Sequence, residues 1–563
     1  MAETSAYTNI MQPLKDWEIH ALILVSFALQ LLLFFSGGLR RRHSHMLLRI
    51  TIWLSYLSAD FIAVYALGYL SRNLPTTSTT DDNDHHKLAN HLTLLWAPFL
   101  LIHLGGQDTV TAFSLEDNEL WLRHLLNLLG QACLVVYVLW KLVALADYQL
   151  TIAATLLFIA GFIKYGERIW ALKSGSQKGL RTSNRREGQM ASLEIWDNEN
   201  NVRAYKAIVK SAALQTERGL WDIFAGWKLI DMGHDHLVYQ RLYDVEDQGE
   251  VRFNFKRVEI ELSIIYYGLF TKSQVIQTRA GGILRCVSLC LHGGCLCDLH
   301  QACSFFILMV SPWQWPLLEA RAESGWRNVL ITRVAWPIFV RIQPESKPWW
   351  SNSMGQYNLV ISSMPAGRSR SGEDHMMKWS CSTILVMAKK MAGVFGASDV
   401  WNKISNTKHA QVTMKIKELI HNSILGCNNP MRVPGAYYSD LLSLPFEEVL
   451  LMLHLWTYWV VYKVDNMMKI TAEPPVSEEQ DQEAAQRWRR HIDTCKTLSD
   501  YMLYLMVAHP AMLPVGTNLQ VVLKLYSRRV SEDDNLGNFR ALYGGAYEGA
   551  IRFWLEQTAA LEK

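Results

Sequence analysis

Long apolar runs fill the first third of the chain and then stop. Ala21 to Leu39 holds no charge over 19 positions, enough at about 1.5 Å per helical residue to cross a hydrocarbon core of roughly 30 Å. Four further segments repeat the pattern: Leu47 to Leu70, Leu88 to Leu104, His124 to Ala146 and Tyr148 to Ile163. The pattern predicts about five spanning helices. The third is the shortest and carries Pro98, so a re-entrant or tilted helix is the alternative there.

Basic residues orient these spans. Arg40, Arg41, Arg42 and Arg49 follow the first run, and no basic stretch precedes it, so it reads as a span and not as a cleaved signal. Excess Lys and Arg stay on the cytosolic side, which predicts an N-terminus outside or lumenal. The Thr- and Asp-rich stretch Pro75 to Asp84, with His85 and His86 beside it, then falls outside. Lys164, Arg168, Lys173, Lys178, Arg181, Arg185 and Arg186 fall inside. Two separate basic clusters thus agree.

Beyond the spans the pattern becomes that of ordinary helical sequence. Leu180 to Asn200 reads as a linker, and 202–277 as helices that admit a β segment at Val251 to Phe255. Ile283 to Val310 is apolar but interrupted by His292, Gly293, Gly294, Asp298 and His300, so a re-entrant or buried segment is preferred to a sixth span. Trp313, Trp315, Trp326, Trp336, Trp349 and Trp350 alternate with arginines and Lys347, the composition of a headgroup-level segment or of ordinary core and surface tryptophans. Val449 to Tyr462 and Leu503 to Leu513 are too short to span with ease and read as helices, and Glu483 with Arg487 has the spacing of a helical ion pair. The expected architecture is mainly α, a polytopic helical membrane domain followed by a mostly helical cytosolic region. Its expected parts are 1–165 for the membrane domain, 166–282 for the linker and a mixed domain, 283–379 for the re-entrant or interfacial segment, and 380–563 for a helical C-terminal domain.

Composition sharpens this picture little. Half the residues are hydrophobic and 19% are charged, with 55 basic against 52 acidic, so no nucleic-acid partner is indicated. The nine cysteines are an odd, scattered set that reads as reduced thiols.

Candidate chemistry concentrates in LLWAPFLLIHLGGQDTVTAFSLEDNELWLRHLLN, Leu94 to Asn127. Gly105 and Gly106 suit a helix end, Ser114 with Asp117 suits a capping box, and Glu116, Asp117 and Glu119 suit a helix N-terminus. The sharper reading gathers His103, Asp108, Glu116, Glu119 and His124 into a cation or polar-ligand site at the cytosolic face. Asp60 and Lys141 are costly at membrane depth. They are expected either to pair with each other, or to be accommodated separately, Lys141 by snorkelling and Asp60 by neighbours such as Tyr56 or Ser58. His292, Cys295, Cys297 and His300 offer thiolate and imidazole to a zinc ion, though in no standard spacing, and inert thiols are the commoner outcome. The sequence contains no G-x-x-x-x-G-K-[ST], G-x-S-x-G or H-E-x-x-H, so no cofactor and no enzymatic activity is indicated.

With these stretches read, the chain resembles a plant membrane-protein family known as domain of unknown function 4220, usually followed by a domain of unknown function 594. The likeness rests on Leu94 to Leu126, LSYLSADFIAVYALGYLS (Leu54 to Ser71), KYGERIWAL (Lys164 to Leu172) and VEIELSIIYYGLFTKSQVIQT (Val258 to Thr278). SMGQYNL (Ser353 to Leu359) and LSDYMLYLMVAHPAMLPVG (Leu498 to Gly516) extend it. It implies a family name and no activity. The Cys- and Trp-rich stretch from Leu291 to Arg327 departs from the family's second hydrophobic block and fits an altered gene model. HLWTYW around His454 stands where the family has Trp-His-Ile-Ala-Thr, so no family role for His454 carries over.

The function expected is that of a membrane-anchored interaction or regulatory protein whose helical cytosolic region docks a protein partner, with the lipid bilayer as its solvent. A transporter or channel component using Asp60, Lys141 and His103 is the alternative, and a membrane-face enzyme the third reading.

Overall fold

The computed structural model of the 563-residue chain describes residues 2–43, 45–72, 94–145, 148–183, 201–216, 248–292, 336–359, 408–428, 445–470 and 479–510, with the single positions 303, 306, 333 and 513. Two compact units divide between Ser351 and Asn352.

Among its described residues the regular elements of the first unit are all helices. Its elements are α1 (Ala2–Ser36), α2 (Leu39–Arg42), α3 (Met46–Arg72), α4 (Trp96–Leu104), α5 (Leu115–Glu119), α6 (Trp121–Leu145), α7 (Tyr148–Gly175), α8 (Gln177–Ser183), α9 (Asn201–Gln215), α10 (Gln248–Phe270), α11 (Ser273–Ile276), α12 (Arg279–His292) and α13 (Trp336–Ile342). Among the described residues four helices are long and apolar enough to cross a membrane: Trp17–Ser36, Leu47–Arg72, Trp121–Val143 and Tyr148–Gly175. Their outward faces carry Leu24, Phe35, Trp53, Phe61, Leu126, Trp140, Ile152 and Phe162, all exposed. A bundle with large apolar side chains on its outside is built for lipid, where the interior offers no hydrophobic advantage over the tails.

The third apolar segment takes a different part. Its residues 88–93 lie outside those described, and its remainder forms the nine-residue α4, buried from Ala97 to Leu104 apart from Phe99. Nine residues rise about 14 Å, less than half of a hydrocarbon core. This helix is apolar all round because it is the centre of the bundle: Leu94, Ala97, Leu100, Leu101 and Leu104 pack with Ile23 of α1, Ala63 and Leu67 of α3, Leu128 and Val135 of α6, and Ala154 and Tyr165 of α7. It ends at Gly105 and Gly106, the latter at φ +65, a conformation that favours glycine.

Val251 to Phe255 is helical, within α10, and not a strand. Burial at Val251, Asn254, Arg257, Glu261 and Ile264 recurs every three or four residues, the helical period. Ile260, Ile264 and Tyr267 of α10 pack with Tyr205, Ile208 and Val209 of α9 and with Trp336, Phe339 and Trp349. The apolar run from Ile283 is helical to His292 in α12, which packs along α7; beyond that only positions 303 and 306 of the run are described.

In the second unit β1 (Ser353–Gln356) pairs antiparallel with β2 (Lys408–Gln411), Ser353 opposite Gln411. The helices are α14 (Met414–Asn428), α15 (Phe446–Ile470) and α16 (Glu479–Ala508). Leu450, Leu451 and Leu455 of α15 meet Leu503, Met506 and Val507 of α16 in a separate core. Both short apolar runs read from the sequence are therefore helical as far as they are described, the second to Ala508. Glu483 and Arg487 share α16, though their side chains lie outside the described residues.

Candidate functional site: a buried ionic network

The loop from Gly105 to Ser114 determines the site. Residues 105–112 are all buried, which obliges their backbone to find partners inside the protein. They find them at the end of α10 and just after it: Thr111 N donates to Phe270 O (2.8 Å) and Lys272 N donates to Asp108 O (3.0 Å). Tyr56 of α3 donates to Thr111 O (3.3 Å), and Asn118 Nδ2 donates to Leu269 O (3.0 Å). Asp117 Oδ2 accepts from Phe113 N (2.8 Å) and Ser114 N (3.1 Å), the capping arrangement that starts α5.

Side chains of one stripe of α7 complete the site. Lys164, Glu167 and Arg168 are spaced three and four apart on one helix face and are almost fully buried. Arg168 forks onto Asp60 of α3, Nη1 to Oδ1 at 2.7 Å and Nη2 to Oδ2 at 2.9 Å, while Nη1 also reaches Leu104 O at 2.9 Å. Lys272 Nζ stands 3.1 Å from Asp108 Oδ1 and 3.7 Å from Glu167 Oε2, and donates to Lys164 O (3.1 Å). Arg285 of α12 pairs with Asp108, and its Nη1 meets Glu167 Oε2 at 3.1 Å. Burial pulls Lys272 down to about 8 against the pull of Glu167, and pulls Arg285 down to about 10.

A polar seam joins this network to the first span. His103 Nδ1 lies 2.8 Å from Ser26 Oγ, Gln30 Nε2 donates to His103 O (3.0 Å), and Gln107 Nε2 donates to Gln30 Oε1 (2.8 Å). Phe27 and Phe99 flank the imidazole.

The residues singled out in the sequence therefore separate. Asp108 is in the network and His103 in the seam. Glu116 is exposed on α5, Glu119 accepts from Gln177 N (2.7 Å), and His124 is buried on α6. The five side chains do not assemble into one ligand shell, because the turn of α5 carries the two glutamates outward. Asp60 does not pair with Lys141, whose ammonium lies over the Tyr137 ring at 5.5 Å. Asp60 is held instead by Arg168, and the Tyr56 hydroxyl donates to Thr111 O. Cys295, Cys297 and His300, and the side chain of His292, lie outside the described residues, and no group of three or more metal-ligating side chains occurs among those described.

Sequence reasoning passed over Glu167, Lys272 and Arg285, and used Lys164 and Arg168 only to orient the chain. A usable signal was present: an i, i+3, i+4 set of charges directly after an apolar run, with another arginine inside the apolar stretch at Ile283.

In the second unit His454 is buried against Ser499 and Asp500. Leu359 N donates to Nε2 (3.4 Å), so the ring proton sits on Nδ1, 3.0 Å from Ser499 Oγ. Both ring nitrogens are thus engaged and Nε2 is closed off by backbone. A nucleophilic triad needs the serine on one nitrogen and the carboxylate on the other, which this arrangement does not provide.

Fold and site together define a polytopic helical membrane protein with a buried network of ion pairs. Residues 53–297, which span the whole network, match the sequence model of a family described as a domain of unknown function (DUF4220). No curated protein matches the chain. No solved structure matches it.

Proposed function

We propose that the protein is a membrane-anchored interaction or regulatory protein, in which the ionic network clamps the segment from α10 to α12 onto the spanning bundle. The carrying observation is charge matching. Asp60 meets Arg168, and Asp108 and Glu167 share Lys272 and Arg285, so each of these carboxylates has a cation within ion-pair reach. Matched pairs that bridge α3, the 105–114 loop, α7 and α12 hold elements together; a conduction path needs sites that ions can enter and leave. The basic residues after α1 support an orientation with the N-terminus outside or lumenal and Arg40 to Arg42 in the cytosol. A cytosolic docking role for the second unit, a C-terminal domain of unknown function 594 and a plant origin rest on the sequence alone.

The alternative of a transporter or channel component draws on the seam Ser26, Gln30, His103 and Gln107, which brings polar groups into the first span. Reconstitution of the full chain in liposomes separates the two. The clamp reading expects no cation flux above that of protein-free vesicles for either wild type or D60N. Flux carried by wild type and lost in D60N would replace it with the transport reading.

A further inference from the structure

Three consecutive arginines come directly after the first span, and they are used differently. Arg40 donates to Ala112 O (3.5 Å) and Phe113 O and lies over the Phe113 ring at 4.0 Å, so its guanidinium is occupied. Arg41 is only 6% exposed, ringed by Tyr266 (4.9 Å), Tyr267 (4.6 Å) and Trp349 (5.8 Å). Its Nη2 donates to the Tyr267 hydroxyl (3.0 Å), but Nε and Nη1 are buried with no hydrogen-bond partner, as is Nε of Arg42. Lys347 Nζ donates one bond to Ile342 O (3.1 Å), and the like charge of Arg42, after burial itself, lowers its pKa.

The carboxylate bonded to the backbone of Trp349 is committed there. Glu259 Oε1 accepts from Trp349 N (2.6 Å) and Trp350 N (3.3 Å), and Oε2 pairs with Lys256 (3.1 Å). Among the described residues no carboxylate pairs with Arg41 or Arg42. A guanidinium cannot shed its proton to escape such a setting, so a buried one without a counter-ion is unfavourable until an anion joins it. Arg41 and Arg42 follow closely on the apolar run of α1, which ends at Ser36, and Arg41 lies over Trp349, the setting in which basic and tryptophan side chains meet headgroups.

We propose that Arg41, Arg42 and Lys347 form a phosphate-binding site, filled by the phosphoryl headgroup of an anionic phospholipid. Arginine forks match phosphate oxygens in a bidentate manner, lysine adds a point charge, and the aromatic ring around Arg41 fixes its plane. This goes beyond the clamp described above and does not require the docking role.

The test uses the delipidated full-length protein in detergent, titrated with short-chain phosphatidic acid, short-chain phosphatidylcholine and inorganic phosphate, and read by tryptophan fluorescence. Wild type is expected to bind phosphatidic acid and not phosphatidylcholine, and R42Q/K347Q to bind it roughly thirtyfold more weakly, the effect of two basic residues at a headgroup. Binding of inorganic phosphate as tight as that of phosphatidic acid, with the same loss in the variant, keeps the site but assigns it to free phosphate. If R42Q/K347Q does not fold, R41K carries the comparison, since it keeps the charge and loses the fork. Equal binding by wild type and a folded variant, or no binding of either phosphate, overturns the proposal.

Discussion

Arg168 of α7 and Asp60 of α3 form a two-pronged ion pair across 108 residues of sequence, with both oxygens of the carboxylate taken by the two terminal nitrogens of the guanidinium. The arginine is 2% exposed and the aspartate 28%. Removing either partner strands the other charge inside the bundle, which is the expensive way to break a buried pair.

D60N is expected to lower stability by about 3 kcal/mol because it strands the buried Arg168, and R168Q by less because the Asp60 carboxylate it leaves is partly accessible. The double variant recovers part of the loss. Denaturation of the full chain in detergent measures the cycle, and a coupling below about 0.5 kcal/mol would show that the two side chains do not depend on each other.

The second unit carries a pH dependence that its own pair conceals. Burial lowers His454 from 6.5 to about 4, so it stabilises the fold above pH 6.5 and that contribution is lost as pH falls towards 4. Burial raises Asp500 from 3.8 to about 6, against Tyr458 and Lys496, so its contribution is present below pH 3.8 and lost as pH rises through 6. The two oppose each other across the same window. In D500N the His454 dependence stands alone: amide protection of α15 and α16 should fall between pH 6.5 and pH 4, while wild type changes little. A flat profile in D500N would contradict this assignment.

Four spans were legible because length and apolarity are local properties, readable at Trp17–Ser36 without knowing what surrounds it. The role of α4 was not, since an all-apolar helix looks alike whether lipid or protein surrounds it. The capping box at Ser114 and Asp117 and the glycine turn at Gly106 were legible for the same local reason. The ion pairs were not. Arg168 reads in sequence as one of many basic residues that orient the chain, and its partner lies three apolar segments earlier. In sequence Asp108 groups with its neighbours Glu116 and Glu119. Its actual partners, Lys272 and Arg285, are more than 160 residues downstream, where α11 and α12 return to α7.

The clamp itself is tested most directly by hydrogen exchange in the full-length protein, comparing wild type with E167Q. Glu167 faces both Lys272 and Arg285, so its neutralisation weakens two pairs at once. Amides from 272 to 292 should then exchange roughly tenfold to a hundredfold faster, the effect of about 1–3 kcal/mol of lost local stability, while α3 and α6 stay protected. Unchanged exchange over 272–292 in E167Q would contradict the clamp.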